Sequence, residues 1–212
     1  MQTAEKMDAQ YRYQRYVYDL SRKYYLLGRD AILDDIALGP QQTLLEAGCG
    51  TGRNLRKLAA RYPQNALYGI DAASVMLDTA QRQMDKHPNV TLRQALAQQV
   101  TPATLDKETG FDHILFSYVL SMIPDWPHAI EQALCNLKPG GTLHVVDFSD
   151  QRNMPAWCQR ILLTWLDWFH VHPDPQVPAY LESLSARHGG TLELRQIASH
   201  YALVAHFHKN VT

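Results

Sequence analysis

The pattern of apolar and polar positions changes period repeatedly along the chain. Tyr13, Tyr16, Val17, Leu20, Tyr24 and Leu27 form a helical stripe over residues 8–27, with Arg12, Arg15, Asp19, Arg22 and Lys23 on the other side. Ala31–Ile36 continues this helix into a Gly39-Pro40 break. Leu44-Leu45 then reads as a short buried strand, and Leu55, Leu58, Ala59 and Tyr62 as one face of a helix. The alternation repeats. Strands are predicted at about 66–70, at Val90–Gln94, over 111–118 and at Thr142–Phe148. Helices are predicted from Ser74, read as the cap, to Lys86, at Ala129–Leu137, over 155–169 and at Ala179–His188. After Gly189-Gly190 come two antiparallel strands, about 191–197 and 201–208. Strands alternating with helices predict an α/β protein with a mostly parallel sheet.

Candidate chemistry concentrates after the first strand, in Glu46-Ala47-Gly48-Cys49-Gly50-Thr51-Gly52-Arg53-Asn54. Three glycines between a strand and a helix N-terminus let a ligand approach bare backbone N–H groups. Spacing separates three nucleotide signatures. No Lys follows the glycines, which excludes a phosphate-binding P-loop. Arg53 stands where a dinucleotide fingerprint needs its third glycine. What remains is E-x-G-x-G-x-G. Asp71 ends the second strand, 23 residues beyond Gly48, where an acid can accept hydrogen bonds from ribose hydroxyls. With the strand at 111–118 and the Asn136–Leu143 helix end, turn and strand, these landmarks resemble class I S-adenosylmethionine-dependent methyltransferases over residues 40–150.

The resemblance implies a Rossmann-like fold. Its sheet has seven strands, mostly parallel with an antiparallel last strand, and helices on both faces. It implies one domain over 1–212: an N-terminal helical lid (1–38), a cofactor-binding half (39–150), and substrate-side helices with the last two strands (151–212). S-adenosyl-L-methionine is the implied cofactor and S-adenosyl-L-homocysteine the product. The implied cofactor residues are Tyr18, Glu46, Gly48, Cys49, Gly50, Asn54, Asp71, Ala72, Met76, Ala95, Leu96 and Ser117. Ala95-Leu96 departs from the acid more familiar at that point, so recognition of the adenine amine falls to backbone or to Gln94, Gln98 or Gln99.

Composition narrows the partners. No apolar run reaches a transmembrane length, and the polar N-terminus is not expected to be a signal peptide. Cys49, Cys135 and Cys158 are widely spaced and read as reduced thiols of a cytoplasmic protein. No nucleic-acid module is present. Net charge is −1, yet the stretch from Arg12 to Arg29 carries five basic residues and one acid, which suits an anionic surface or head group. The 155–169 helix is apolar around most of its circumference. That excess points to an acyl chain, a bilayer surface or a second subunit, or to deeper burial. The His170-x-His172 pair lacks a third metal ligand, and no metal is expected. His206 and His208 alternate on one face of the last strand and read as surface residues.

A narrower resemblance rests on two stretches. Tyr18-Asp19-Leu20-Ser21-Arg22-Lys23-Tyr24-Tyr25-Leu26-Leu27-Gly28-Arg29-Asp30 and Ser117-Tyr118-Val119-Leu120-Ser121-Met122-Ile123-Pro124-Asp125-Trp126 are similar to betaine-lipid N-methyltransferases. That family trimethylates diacylglyceryl-homoserine at the inner face of a membrane. On this reading Tyr118 and Tyr25 position the reacting amine. Arg22, Tyr24, Tyr25, Arg29, Ser121, Met122, His200 and Tyr201 contact the substrate, with Arg22 or Arg29 on its carboxylate and tyrosine rings against the methylated ammonium. Asp147, ending the fifth strand, reads either as a crevice residue or as a loop-fixing one. Phosphatidylethanolamine or another amine as substrate, a non-catalytic cofactor-binding protein, and a homo-oligomer stay open.

Overall fold

The computed structural model describes residues 26–169 and 171–211. Most of the expected 8–27 helix, with Tyr18, Arg22, Tyr24 and Tyr25, lies outside them, as does His170.

The elements follow the expected alternation: α1 (Arg29–Asp35), β1 (Leu44–Ala47), α2 (Arg53–Arg61), β2 (Leu67–Asp71), α3 (Ser74–Met84), β3 (Val90–Gln94), β4 (Phe111–Ser117), α4 (Trp126–Asn136), β5 (Leu137–Phe148), α5 (Ala156–Asp167), α6 (Val177–His188), β6 (Gly190–Ile197) and β7 (Ala202–Lys209). Seven strands form one sheet in the order β3-β2-β1-β4-β5-β7-β6. The first five are mutually parallel, and β7 is antiparallel to both β5 and β6.

Each face of the sheet has its own core. Leu45, Phe111, Phe116, Ile130, Leu134 and Leu181 pack under α4 and α6. Leu44, Ile32, Leu58, Phe148 and Leu166 pack under α1, α2 and α5. β1 is buried along its whole length, as a central parallel strand covered on both faces must be.

Four of the boundaries that differ from the sequence expectation do so for a local reason. Leu26 and Leu27 are not helical. Gly28 adopts φ +79° and starts a separate helix, α1, at Arg29. Ser74 is the first helical residue of α3 rather than its cap, because the Ala73 carbonyl accepts the first N–H groups of the helix, from Met76 and Leu77. β5 begins at Leu137 instead of Thr142. It runs through Pro139-Gly140-Gly141 with a register irregularity, and Gly140 N–H donates to the Asn210 carbonyl. α6 starts at Val177, two residues early, with Pro178 in its first turn where a missing N–H costs nothing.

Candidate active site

Strand order reverses between β1 and β4, and the crevice outside their carboxyl ends is where an open parallel sheet binds ligands. The glycine loop lies there. Gly48, Gly50 and Gly52 all have positive φ (73°, 54° and 81°), the left-handed region that a Cβ penalises. Gly48 is also a packing necessity: a Cβ there would stand 2.3 Å from Val119 Cγ2.

Asp71 ties the loop to the next strand. Its Oδ2 accepts the Gly50 N–H at 2.8 Å and its Oδ1 the Ala73 N–H at 2.9 Å. A carboxylate oxygen has more than one acceptor position, so these bonds orient the acid and leave it able to take ligand hydroxyls. On β1, buried Glu46 accepts from Asn54 Nδ2 at 2.7 Å, and Asn54 Oδ1 accepts from Arg29 Nε at 3.1 Å. Three residues singled out by sequence, on β1, α2 and α1, thus form one hydrogen-bonded chain. Burial, with Asp71 and Glu46 nearby, pushes the Cys49 thiol well up, so its sulfur stays protonated and unreactive.

The other cofactor candidates surround this centre. The Ala72 carbonyl accepts from Gln94 Nε2 at 2.9 Å, which commits one of the glutamines considered for adenine recognition. The Ala95 N–H donates to the Asp71 carbonyl, and Leu96 is exposed on the loop beyond β3. Buried Ala73 and Met76 pack with Met122 and Phe169, which brings the start of α3, the turn after β4 and the end of α5 together. Ser117 Oγ is buried at the end of β4 with no protein partner among the described residues.

Tyr118 requires a correction. The sequence places it as an aromatic surface lining the reaction site. Instead it is 2% exposed, its hydroxyl donates to the Leu27 carbonyl at 2.5 Å, and its ring meets Phe148 edge-on at 5.0 Å. Its backbone is left-handed, φ +55°, so the side chain turns away from the alternation of β4 and into the core beneath α1. Ser121 and Met122 lie on a 3₁₀ turn, Leu120–Met122, fixed by Asp147: its Oδ2 accepts the Leu120 N–H at 2.9 Å and the Ser121 N–H at 3.4 Å. Complete burial raises the Asp147 carboxyl to about 6 against these hydrogen bonds, which hold it down. His200 Nδ1 lies 3.2 Å from Asp150 and accepts from Arg152 Nε at 3.2 Å, and Tyr201 packs on Phe148. Both stand at the crevice end of the sheet, one strand beyond β5.

One feature escaped the sequence reading. A cavity of about 640 Å³ opens between the start of α1, the glycine loop and α2, lined by Arg29, Arg53, Arg56 and Lys57 with a single acid, Asp30. Asp30 pairs with Arg53 and Lys57, both at 2.8 Å. The signal was present as Arg53, Arg56 and Lys57 at helical spacing on one face of α2.

Residues 44–141 match a family model described as a methyltransferase domain. The chain is 31% identical over 106 residues to trans-aconitate 2-methyltransferase of Deinococcus radiodurans, covering 50% of this chain and 38% of that one. It is 31% identical over 140 residues to 2-phytyl-1,4-naphtoquinone methyltransferase of Thermosynechococcus vestitus, covering 65% and 60%. The chain therefore spans less than two thirds of these curated relatives. The fold extends further. The plantazolicin methyltransferase BpumL, solved in complex with a triazolic desmethylPZN analog and SAH, superposes with a TM-score of 0.72 over 99% of both chains at 13% identity. The whole described architecture is thus the methyltransferase fold, and the expected seven-stranded sheet is the observed one. Among the described residues there is no cluster of metal ligands and no helix long and apolar enough to cross a membrane.

Proposed function

We propose that the protein is an S-adenosylmethionine-dependent N-methyltransferase that trimethylates the amine of diacylglyceryl-homoserine. The observation that carries this reading is the Tyr18–Asp30 stretch, which resembles betaine-lipid N-methyltransferases, together with the position of its Arg29 end, hydrogen-bonded to Asn54 beside the glycine loop. A cationic cavity at that point suits a substrate with a free carboxylate. The donor fits the residues present: Asp71 is oriented at the end of β2 to accept hydroxyls, and loop amides and Ser117 Oγ stand near the crossover.

The donor supplies a methyl group already activated on a sulfonium, so the protein needs neither a nucleophile nor a metal. Its residues hold the amine in line, and orientation of this kind is worth about 7–11 kcal/mol in favourable cases. The nitrogen lone pair forms the new N–C bond as the S–C bond breaks toward sulfur. The first two products lose a proton to water; the third is a quaternary cation and loses none. Asp147 is spent on the Leu120–Met122 turn and is not the proton acceptor.

Lipid mass spectrometry after incubation with S-adenosylmethionine, with diacylglyceryl-homoserine and phosphatidylethanolamine in parallel tubes, tests the assignment. Gains of one to three methyl groups in the homoserine lipid alone are expected. Gains in phosphatidylethanolamine alone would keep the chemistry and overturn the substrate. No gain in either, with the cofactor bound, would overturn the lipid reading altogether.

A further inference from the structure

Far from the glycine loop, four hydrogen bonds run in series across one face of the sheet. Gln42 Oε1 meets His113 Nε2 at 3.2 Å, and His113 Nδ1 meets His144 Nε2 at 2.9 Å. His144 Nδ1 meets His206 Nδ1 at 2.8 Å, and His206 Nε2 meets Asp35 Oδ2 at 3.2 Å. The His113 and His144 rings are within 16° of coplanar with centroids 5.2 Å apart; joined through ring nitrogens, they lie end to end. All six ring nitrogens are engaged, which leaves none for a metal ion.

Both ends of this chain accept. The Gln42 oxygen also takes the Gly39 N–H at 2.7 Å, which fixes the amide with its oxygen toward His113. The other end is the Asp35 carboxylate, which Arg195 also contacts. Each link consumes one hydrogen, so four links need four. Three neutral imidazoles carry three. The series closes only when one ring is an imidazolium.

We propose that the chain from Gln42 to Asp35 is a binding site for a single shared proton, whose uptake closes the fourth hydrogen bond and clamps α1 and the α1–β1 connection to β4, β5 and β7. The surrounding charges place it. Burial disfavours a charge on all three rings, most on His144. Asp35 favours it on His206, the ring that touches a carboxylate, while Arg195 and His208 oppose it. Glu193 of β6 stands opposite His206 in the ladder. Near His113, Asp112 favours the charge and is itself held by Lys138 and Thr43. His208 is bonded to Thr142 beside the chain. The proton therefore resides on His206, with His144 and His113 neutral and each carrying its hydrogen on Nε2.

Long-range ¹H–¹⁵N correlation of the histidine rings, followed against pH on the full chain, reads these states directly. His113, His144 and His206 should shift with one common midpoint, His206 showing the imidazolium signature on its acid side. Asp35→Asn replaces the terminal acceptor with a group able to donate, so the amide supplies the fourth hydrogen and all three rings can stay neutral; the common titration should vanish. Gln42→Glu adds a second carboxylate and should raise the midpoint. Three unrelated midpoints in the unsubstituted protein, no imidazolium among these rings at any pH where it is folded, or a common titration unchanged by Asp35→Asn would each overturn the proposal.

Discussion

Two residues at the crevice hold conformations or charges that cost free energy, and each gives a test. Gly48 combines φ +73° with contact against Val119. Gly48→Ala should destabilise the fold by about 1–3 kcal/mol, from left-handed strain and overpacking together. Val119→Ala in the same chain should recover only part of this. The backbone strain persists, and Val119 Cβ itself lies 2.9 Å from where the methyl of an alanine at 48 would stand. Chemical denaturation of the single and double variants checks the order. Asp147 offers a pH test. Its folded carboxyl titrates near 6 against an ordinary 3.8, so between those values the folded state binds more protons than the unfolded one. Stability contributed by this group therefore rises as pH falls from about 7 to 4, by roughly 3 kcal/mol in all. Asp147→Asn removes the titration. The stability difference between the two proteins should shift in favour of Asp147 by that amount as pH falls across the window, and parallel profiles would show that the carboxyl is not perturbed.

At the scale of elements, the period of the sequence carried the strands and most helices, because a buried parallel strand and an amphipathic helix each leave a pattern in consecutive residues. Glu46, Asn54, Asp71 and Arg29 were picked out by motif position and resemblance rather than by period, and the structure joins Glu46, Asn54 and Arg29 by hydrogen bonds. What was not legible depends on contacts far apart in sequence. Nothing near Tyr118 in the chain announces that its hydroxyl reaches Leu27 or that its φ is positive. His206 reads as a surface residue from β7 alone; its burial and its partners come from β5 and α1. The break between Leu27 and Arg29 is visible only as a glycine inside an apolar stripe. Gly28→Ala tests that break. A Cβ there would lie 2.5 Å from Ile197 Cδ1, the movable end of a side chain, so what remains after it shifts is left-handed strain of about 1–2 kcal/mol. A loss of that size in thermal or denaturant unfolding, with cofactor affinity reduced alongside through the neighbouring Arg29–Asn54 bond, is the expected outcome.

The whole molecule divides its chemistry between the two ends of the sheet. The carboxyl ends of β1, β2, β4 and β5 carry the glycine loop, Asp71, Ser117 and Asp147, and α5 closes over this end through Phe169 against Met76 and Met122. The opposite side of α5 is covered by no described residue: Trp157, Ile161 and Trp168 are 69%, 63% and 79% exposed, at spacings of four and seven residues that make one stripe. Tryptophan on such a stripe suits the boundary between head groups and acyl chains, and Arg160 beside it keeps its charge in water. If the substrate is a lipid, α5 would deliver the crevice to the surface where that lipid resides. Replacing Trp157 and Trp168 together by Ala should then cut methylation of vesicle-borne lipid at least tenfold and lower vesicle co-sedimentation in parallel. Turnover of the same head group on a short-chain, water-soluble analogue should be unchanged, as should cofactor affinity and melting temperature, since neither side chain is part of the core. Equal losses on vesicle and soluble substrates would instead assign the stripe to the architecture of the crevice, and no loss on either would remove the membrane from its role.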